Sequence, residues 1–210
     1  MQALDATELS IGDMHLTHTT ALTDMQLIPV DHPDSAYAAF WAARIGNKLD
    51  EGWRTAYSDS TRRDNHHTAV SHHLPKSTRG PATTSQYLGT LASVADAGRL
   101  GIALSLESNL GQDMLLLLTD SMAAYNSALN LSRGSPPRSG IEIRIARALA
   151  ERRHLDTGIS WVRSHIGIPG NKLADKAADY QSHLGQTDGS PNITTYEGFA
   201  WDGRLTVPLP

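Results

Sequence analysis

The chain has 210 residues, 40% of them hydrophobic, and 18 Lys and Arg against 22 Asp and Glu give a net charge of −4. That suffices to bury one core, not to build two full-sized domains, and it provides no global positive field to recruit a polyanion. Cysteine is absent, which excludes disulfides, thiolate zinc sites and a cysteine nucleophile. With no basic-then-apolar start and no apolar run of bilayer length, the expectation is an intracellular chain, nuclear or cytoplasmic, neither secreted nor membrane-bound.

The first 52 residues read as a linker carrying one amphipathic helix, Ser35 to Ile45, in which Tyr37, Phe40, Trp41 and Ile45 recur at helical spacing. From Trp53 the texture changes: Trp53 to Ser58 predicts a strand that stops at Asp59, and the polar residues 61–65 predict a turn. Thr68 to Leu74 and Thr83 to Gly89 predict two further strands, separated by a segment from Pro75 to Pro81 that should interrupt any ladder. Val94 to Ser108 has a period close to 3.6, with Asp96 placed to cap its start. Leu115 to Thr119 is short, apolar and closed by Asp120, as a strand buried on both faces would be. Ser121 to Leu131 predicts a helix, with Asp120 a natural cap, and Ile141 to Leu155 another. Gly158 to Arg163 predicts a strand, and a last helix begins at Gly170 and Asn171 and ends near Leu184. Residues 185–210 show no period and read as a loose tail.

Three strands in a meander, followed by alternating helices and strands, demand a mixed α/β sheet with helices on its faces. Ligand groups in such sheets gather at the ends of central strands. Asp59 and Asp120 both fall where a hydrophobic strand stops, so their convergence is expected. Each alone has a plainer reading as a cap or turn residue, and Asp175 alone could be a solvated helix residue.

Taken together, the words around these residues resemble the type 1 ribonuclease H family, most closely the ribonuclease H domains of fungal non-LTR retrotransposon polyproteins. Tyr57-Ser58-Asp59-Ser60 resembles the family's first-strand motif. Leu118-Thr119-Asp120-Ser121, followed by Ala123 and Ala124, resembles its second aspartate motif. The stretch from Trp161 through His165, Gly167, Gly170 and Asn171 to Asp175 is similar to the last block almost throughout, and is the most specific signal. The match covers residues 53–184.

The resemblance implies a ribonuclease H-like fold with a mixed five-stranded sheet, three antiparallel strands then two parallel, and helices on both faces. It implies hydrolysis of the RNA strand of an RNA–DNA hybrid by a two-metal mechanism, with Mg²⁺ or Mn²⁺ as cofactor. On the matching positions Asp59 would bridge the ions, Asp120 would hold one, Asp175 would complete the other's shell, and His165 would assist proton transfer or product departure from a loop that Gly167 and Gly170 allow to move. The physical requirement is general, because paired divalent ions need clustered hard oxygen ligands, and clustered carboxylates need cations to stay ionised together.

One departure stands out. The family's fourth acid, a glutamate early in the helix after the third strand, falls on Gly98. Asp96 lies about 200° around the helix from it, and Glu107 about 14 Å along the axis, so neither is a drop-in ligand. Glycine there costs the helix on the order of 1 kcal/mol relative to alanine, with no packing reason evident in the sequence. Lys172, where the last block usually carries an acid, is a second departure. An active hybrid endoribonuclease therefore stands beside an inactive nucleic-acid-binding module and a retroelement remnant of the same fold.

Other candidates carry blander readings. His66-His67 and His72-His73 read as surface residues, since neighbours on a strand point to opposite faces. Arg144, Arg147, Arg152 and Arg153, interleaved with Glu142 and Glu151, read as a solvated helix face and not a phosphate-binding one. Tyr57 and Trp161 read as core residues of their strands and not base-stacking platforms.

Overall fold

The computed structural model describes residues 34–63, 66–77, 80–111 and 114–188. The segments read as linker before residue 34 and as tail after residue 188 lie outside the described residues.

Helix α1 (Asp34–Asp50) is longer than its apolar period suggested, because Asp34 and Lys48 complement the helix dipole at its two ends. Lys48 also folds over the Trp53 ring, 4.6 Å from its centroid, and Gly52, at φ +88°, turns the chain into the sheet. Strands β1 (Arg54–Arg62), β2 (Thr68–Ser77) and β3 (Gly80–Gly89) form the antiparallel meander. β4 (Leu115–Thr119) then pairs parallel with β1 on one side and with β5 (Thr157–Trp161) on the other. The order β3-β2-β1-β4-β5 is the mixed five-stranded sheet that the motifs implied.

Two strand boundaries differ from the sequence reading. β1 does not stop at Asp59; it continues to Arg62, with Asp59 opposite Ser71 and Ser60, Thr61 and Arg62 opposite Val70, Ala69 and Thr68. The apolar pattern ended there because the partner's side chains complete the burial, while the ladder needs only backbone groups. β2 runs through Pro75 because a register shift between Leu74 and Ser77 absorbs it, beyond His73, the last residue of β2 paired with β1. Pro81 is tolerated because β3 is an edge strand.

The remaining helices are α2 (Val94–Glu107), α3 (Met122–Ser132), α4 (Gly140–Glu151) and α5 (Pro169–Asp188). Serine, not aspartate, caps the first three of these. Ser93 caps α2 by accepting the Asp96 N–H at 3.0 Å and donating to the Asp96 carboxylate at 2.7 Å, so Asp96 is the third helical residue. Ser121 caps α3 and Ser139 caps α4. Relieved of capping, the Asp120 side chain is available for other work. α4 ends at Glu151, short of the expected Leu155, with Arg152 as its C-cap.

Alternation along the strands divides the core into two faces. Ala56, Leu115, Leu117 and Ile159 pack with Leu100, Ile102, Leu106, Ala128, Ile145 and Leu149 of α2, α3 and α4. Tyr57, Leu116 and Leu118 pack instead with Tyr37, Trp41 and Ile45 of α1, with Val162 and Ile168, and with Ala174 of α5. α1, read from sequence as part of a linker, thus covers one face of the sheet.

Three surface readings are corrected. His72 and His73 are buried on opposite faces: His72 meets Ser108 at 3.2 Å beside α2, and His73 meets Thr83 at 2.7 Å beside the Tyr57 ring. Both lie in a strand covered by helices, which a dipeptide cannot reveal. Arg152 is 1% exposed and donates to Thr157 at 3.0 Å. Arg144 is committed to a two-point ion pair with Glu107. Tyr57 is in the core as expected, and Trp161 is half-buried, its indole N–H donating to the Asp120 carbonyl at 2.8 Å.

Candidate functional site

Asp59 sits inside β1 with neighbours on opposite faces: Ser58 lies against Gly101 of α2, which turns Asp59 towards the α5 side. The parallel pairing of Ser58 with Thr119 brings the next residues, Asp59 and Asp120, side by side at the same end of the sheet. α5 crosses that end. It can approach closely because Gly170 has no Cβ: the Tyr57 ring occupies the space where one would stand. Ser71, opposite Asp59, donates its hydroxyl to the Ala174 carbonyl and so pins α5 one residue before Asp175.

The electrostatics follow from this crowding. Asp59 is buried, and burial, the charge of Asp120 beside it and the more distant charge of Asp175 push its carboxyl up to about 8, against the opposing Ser60 N–H donated to its Oδ1 at 2.6 Å. Asp120 is also raised, chiefly by burial, while hydrogen bonds from Asn171 and from protonated Asp59 act the other way. Both carboxyls thus favour the protonated form more than a free aspartate does.

His165 lies on the loop between β5 and α5, its side chain 78% exposed and its Nδ1 3.6 Å from Asp175 Oδ2. At φ +58° it holds a left-handed backbone uncommon for a residue with a Cβ, and Gly167 follows at φ +90°. His165, Asn171, Lys172 and Asp175 line a cavity of about 150 Å³ closed on one side by Arg163. Arg163 is itself held by α1, 3.4 Å from Asp34 and over the Tyr37 ring.

The four residues singled out in the sequence are therefore at one end of the fold, with Asp59, Asp120 and Asp175 in electrostatic contact and His165 beside Asp175. Among the described residues, however, no three His, Cys, Asp or Glu side chains are arranged to hold a metal ion by themselves. The donor chemistry still fits a hard divalent cation, because an ion bound between Asp59 and Asp120 would offset the burial and mutual repulsion that raise both carboxyls. Asn171, named in the sequence only as part of the last block and given no role there, joins this group, one helical turn before Asp175.

Gly98 has a packing reason after all. A Cβ built there would lie 2.7 Å from the Ser121 Cβ, closer still to the Ser121 hydroxyl, and 3.4 Å from the Ala124 Cβ. α2 and α3 have closed over the position where the resemblance places a glutamate. Nor does a neighbour substitute, as expected: Asp96 pairs with Arg99 at 2.7 Å and Glu107 with Arg144.

No protein-family model matches this chain, and no curated protein sequence does. Among solved structures it is similar to ribonuclease H1 of the halophilic archaeon Halobacterium salinarum, at 22% identity over 66% of this chain and 100% of that one, with a TM-score of 0.47. It is also similar to the N-terminal ribonuclease H domain of a Mycobacterium tuberculosis protein, at 16% identity over 66% of this chain and 99% of that one, with a TM-score of 0.49.

Proposed function

We propose that this chain is a ribonuclease H-type domain, retroelement-derived, that engages RNA–DNA hybrids and hydrolyses the RNA strand with divalent ions held by Asp59, Asp120 and Asp175. The observation that carries the reading is the parallel register that sets Asp59 and Asp120 side by side at one end of the sheet, where burial and mutual charge raise both carboxyls and Asp175 is near enough to raise Asp59 further. Buried acids so placed remain ionised together only around a cation. Mg²⁺ or Mn²⁺, when bound, would supply an activated water and stabilise the leaving oxygen. The chain's own residues do the rest: the aspartates orient the ions at the rigid end of the sheet, and His165, exposed on its strained loop, takes or delivers a proton at the departing group.

The test is cleavage of an end-labelled RNA–DNA hybrid with Mg²⁺ or Mn²⁺ by the chain and by its Asp59→Asn variant. Cleavage by the parent that disappears in the variant supports the reading; equal rates for both would sink it. A second reading, a hybrid-binding module that does not cut, is favoured by one specific contact, the closure of Ser121 over Gly98. Retarded migration of the hybrid with no product under either metal would establish that alternative.

A further inference from the structure

α5 carries Asn171 and Asp175 four residues apart, on one face of the helix. Asn171 is 5% exposed. Its amide N–H donates to the Asp120 carboxylate, and its Oδ1 is buried with no hydrogen-bond partner. It lines the same cavity as His165 and Asp175. A buried carbonyl oxygen left unmatched forfeits its solvation without return, and native proteins keep few of them without a use.

The surroundings narrow that use. The three aspartates do not by themselves form a ligand group, and the position of the family's fourth acid is filled by Ser121. Asn171 links Asp120, which it touches, with Asp175, whose helix face it shares. Its oxygen is neutral, so it adds a donor without adding to the repulsion among three acids. Hard divalent cations take amide carbonyl oxygens alongside carboxylates in mixed oxygen shells.

We propose that Asn171 Oδ1 is an oxygen donor to a divalent cation held with Asp120, in partial replacement of the carboxylate missing at Gly98. This rests on the reading that the aspartates bind a divalent ion, and the test separates the two. Mn²⁺ binding to the full chain, without nucleic acid, is measured by the electron paramagnetic resonance signal of the free ion for the parent, Asn171→Leu, Asn171→Asp and Asp120→Asn. Asn171→Leu is expected to weaken Mn²⁺ binding by about 10–100-fold. Asn171→Asp is expected to hold Mn²⁺ at least as tightly as the parent, since a carboxylate oxygen stands where the carbonyl did. A residue that served only to donate its N–H to Asp120 would behave oppositely, because aspartate loses that donor; weaker binding in Asn171→Asp therefore overturns the proposal even if the leucine variant fails to fold. Binding unchanged in Asn171→Leu, with loss in Asp120→Asn, overturns it while leaving the metal reading intact. A parent chain that binds no Mn²⁺ overturns both.

Discussion

The two faces of this sheet have treated their polar positions in opposite ways. On the face covered by α1 and α5, β1 presents Asp59 to an end of the fold where Asp120, Asn171 and Asp175 gather, their carboxyls crowded and the Asn171 Oδ1 without a hydrogen-bond partner. On the face covered by α2, α3 and α4, the position where the resemblance places a fourth acid is Gly98, and α3 packs against it through Ser121. No empty slot stands there, because close-packed interiors fill the space. Restoring the side chain is then a packing problem as well as a chemical one.

The largest effect should come from uncovering the first face. Tyr37, Trp41 and Ile45 bury apolar surface against β1 and β4, so Trp41→Ala should lower the unfolding free energy by about 3–5 kcal/mol in urea titration. By the same packing, a chain of residues 34–188 should melt cooperatively while one of 53–184, the unit expected from sequence, should lose roughly 5 kcal/mol for three buried side chains. Equal midpoints for the two chains would show that α1 is a passenger.

Next comes the charge of Asp59. Its folded pKa, about 8, lies above the 3.8 of the free group, so the folded state binds the extra proton. In metal-free buffer the stability that Asp59 contributes is therefore fully present below about pH 4 and is lost as pH rises to about 8. Asp59→Asn should remove that decline, a difference on the order of 3 kcal/mol at the alkaline end. Added Mg²⁺ should stabilise the parent there and leave the variant unmoved. A parent whose melting temperature does not fall relative to Asp59→Asn between pH 5 and pH 8 would show that the acids are not crowded in solution.

Gly98→Glu probes the second face. Sequence alone leads to the expectation that it stabilises α2 and raises cleavage. The contact with Ser121 reverses the first part: the variant should lose about 1–3 kcal/mol to overpacking. Ser121→Gly, which costs α3 only a few tenths of a kcal/mol at its cap, should recover part of that loss in the double variant. Cleavage should rise only where the room has been made. Additive losses in the double-mutant cycle would break the link between the two positions.

The smallest effect belongs to His72, buried beside α2 and held neutral, its pKa lowered to about 4 by burial first and by His73 second. The unfolded chain takes up a proton below about 6.5, the folded one only near 4, so stability contributed by His72 is lost as pH falls across that window. Asp59 acts in the opposite direction over the same range and masks it. His72→Gln in an Asp59→Asn background should therefore abolish an acid limb of about 2 kcal/mol, readable as the shift in urea midpoint between pH 7 and pH 4.5.

Much of this was legible in the chain itself. The period of α2, the apolar run of β4 and the block from Trp161 to Asp175 placed the mixed sheet and named Asp59, Asp120, His165 and Asp175, because hydrophobic periodicity and short local motifs are written in consecutive residues. The loop position of His165 followed from the same block, while its place beside Asp175 did not. What failed were readings that treated a residue by its immediate neighbours: Asp59 as a strand end, His72, His73 and Arg152 as surface, Gly98 as a helix flaw without compensation.

Each of these was decided by a partner far along the chain. Val70, Ala69 and Thr68 extended the ladder past Asp59, α2 buried His72, Ser121 gave Gly98 its reason, and Asn171 acquired an orphaned oxygen only where α5 packs against the sheet. Sequence determined which chemical groups the chain possesses and the local periods that set its elements. Tertiary structure alone decided which groups lose water and which meet, since desolvation and charge coupling depend on distances that no spacing along the chain encodes.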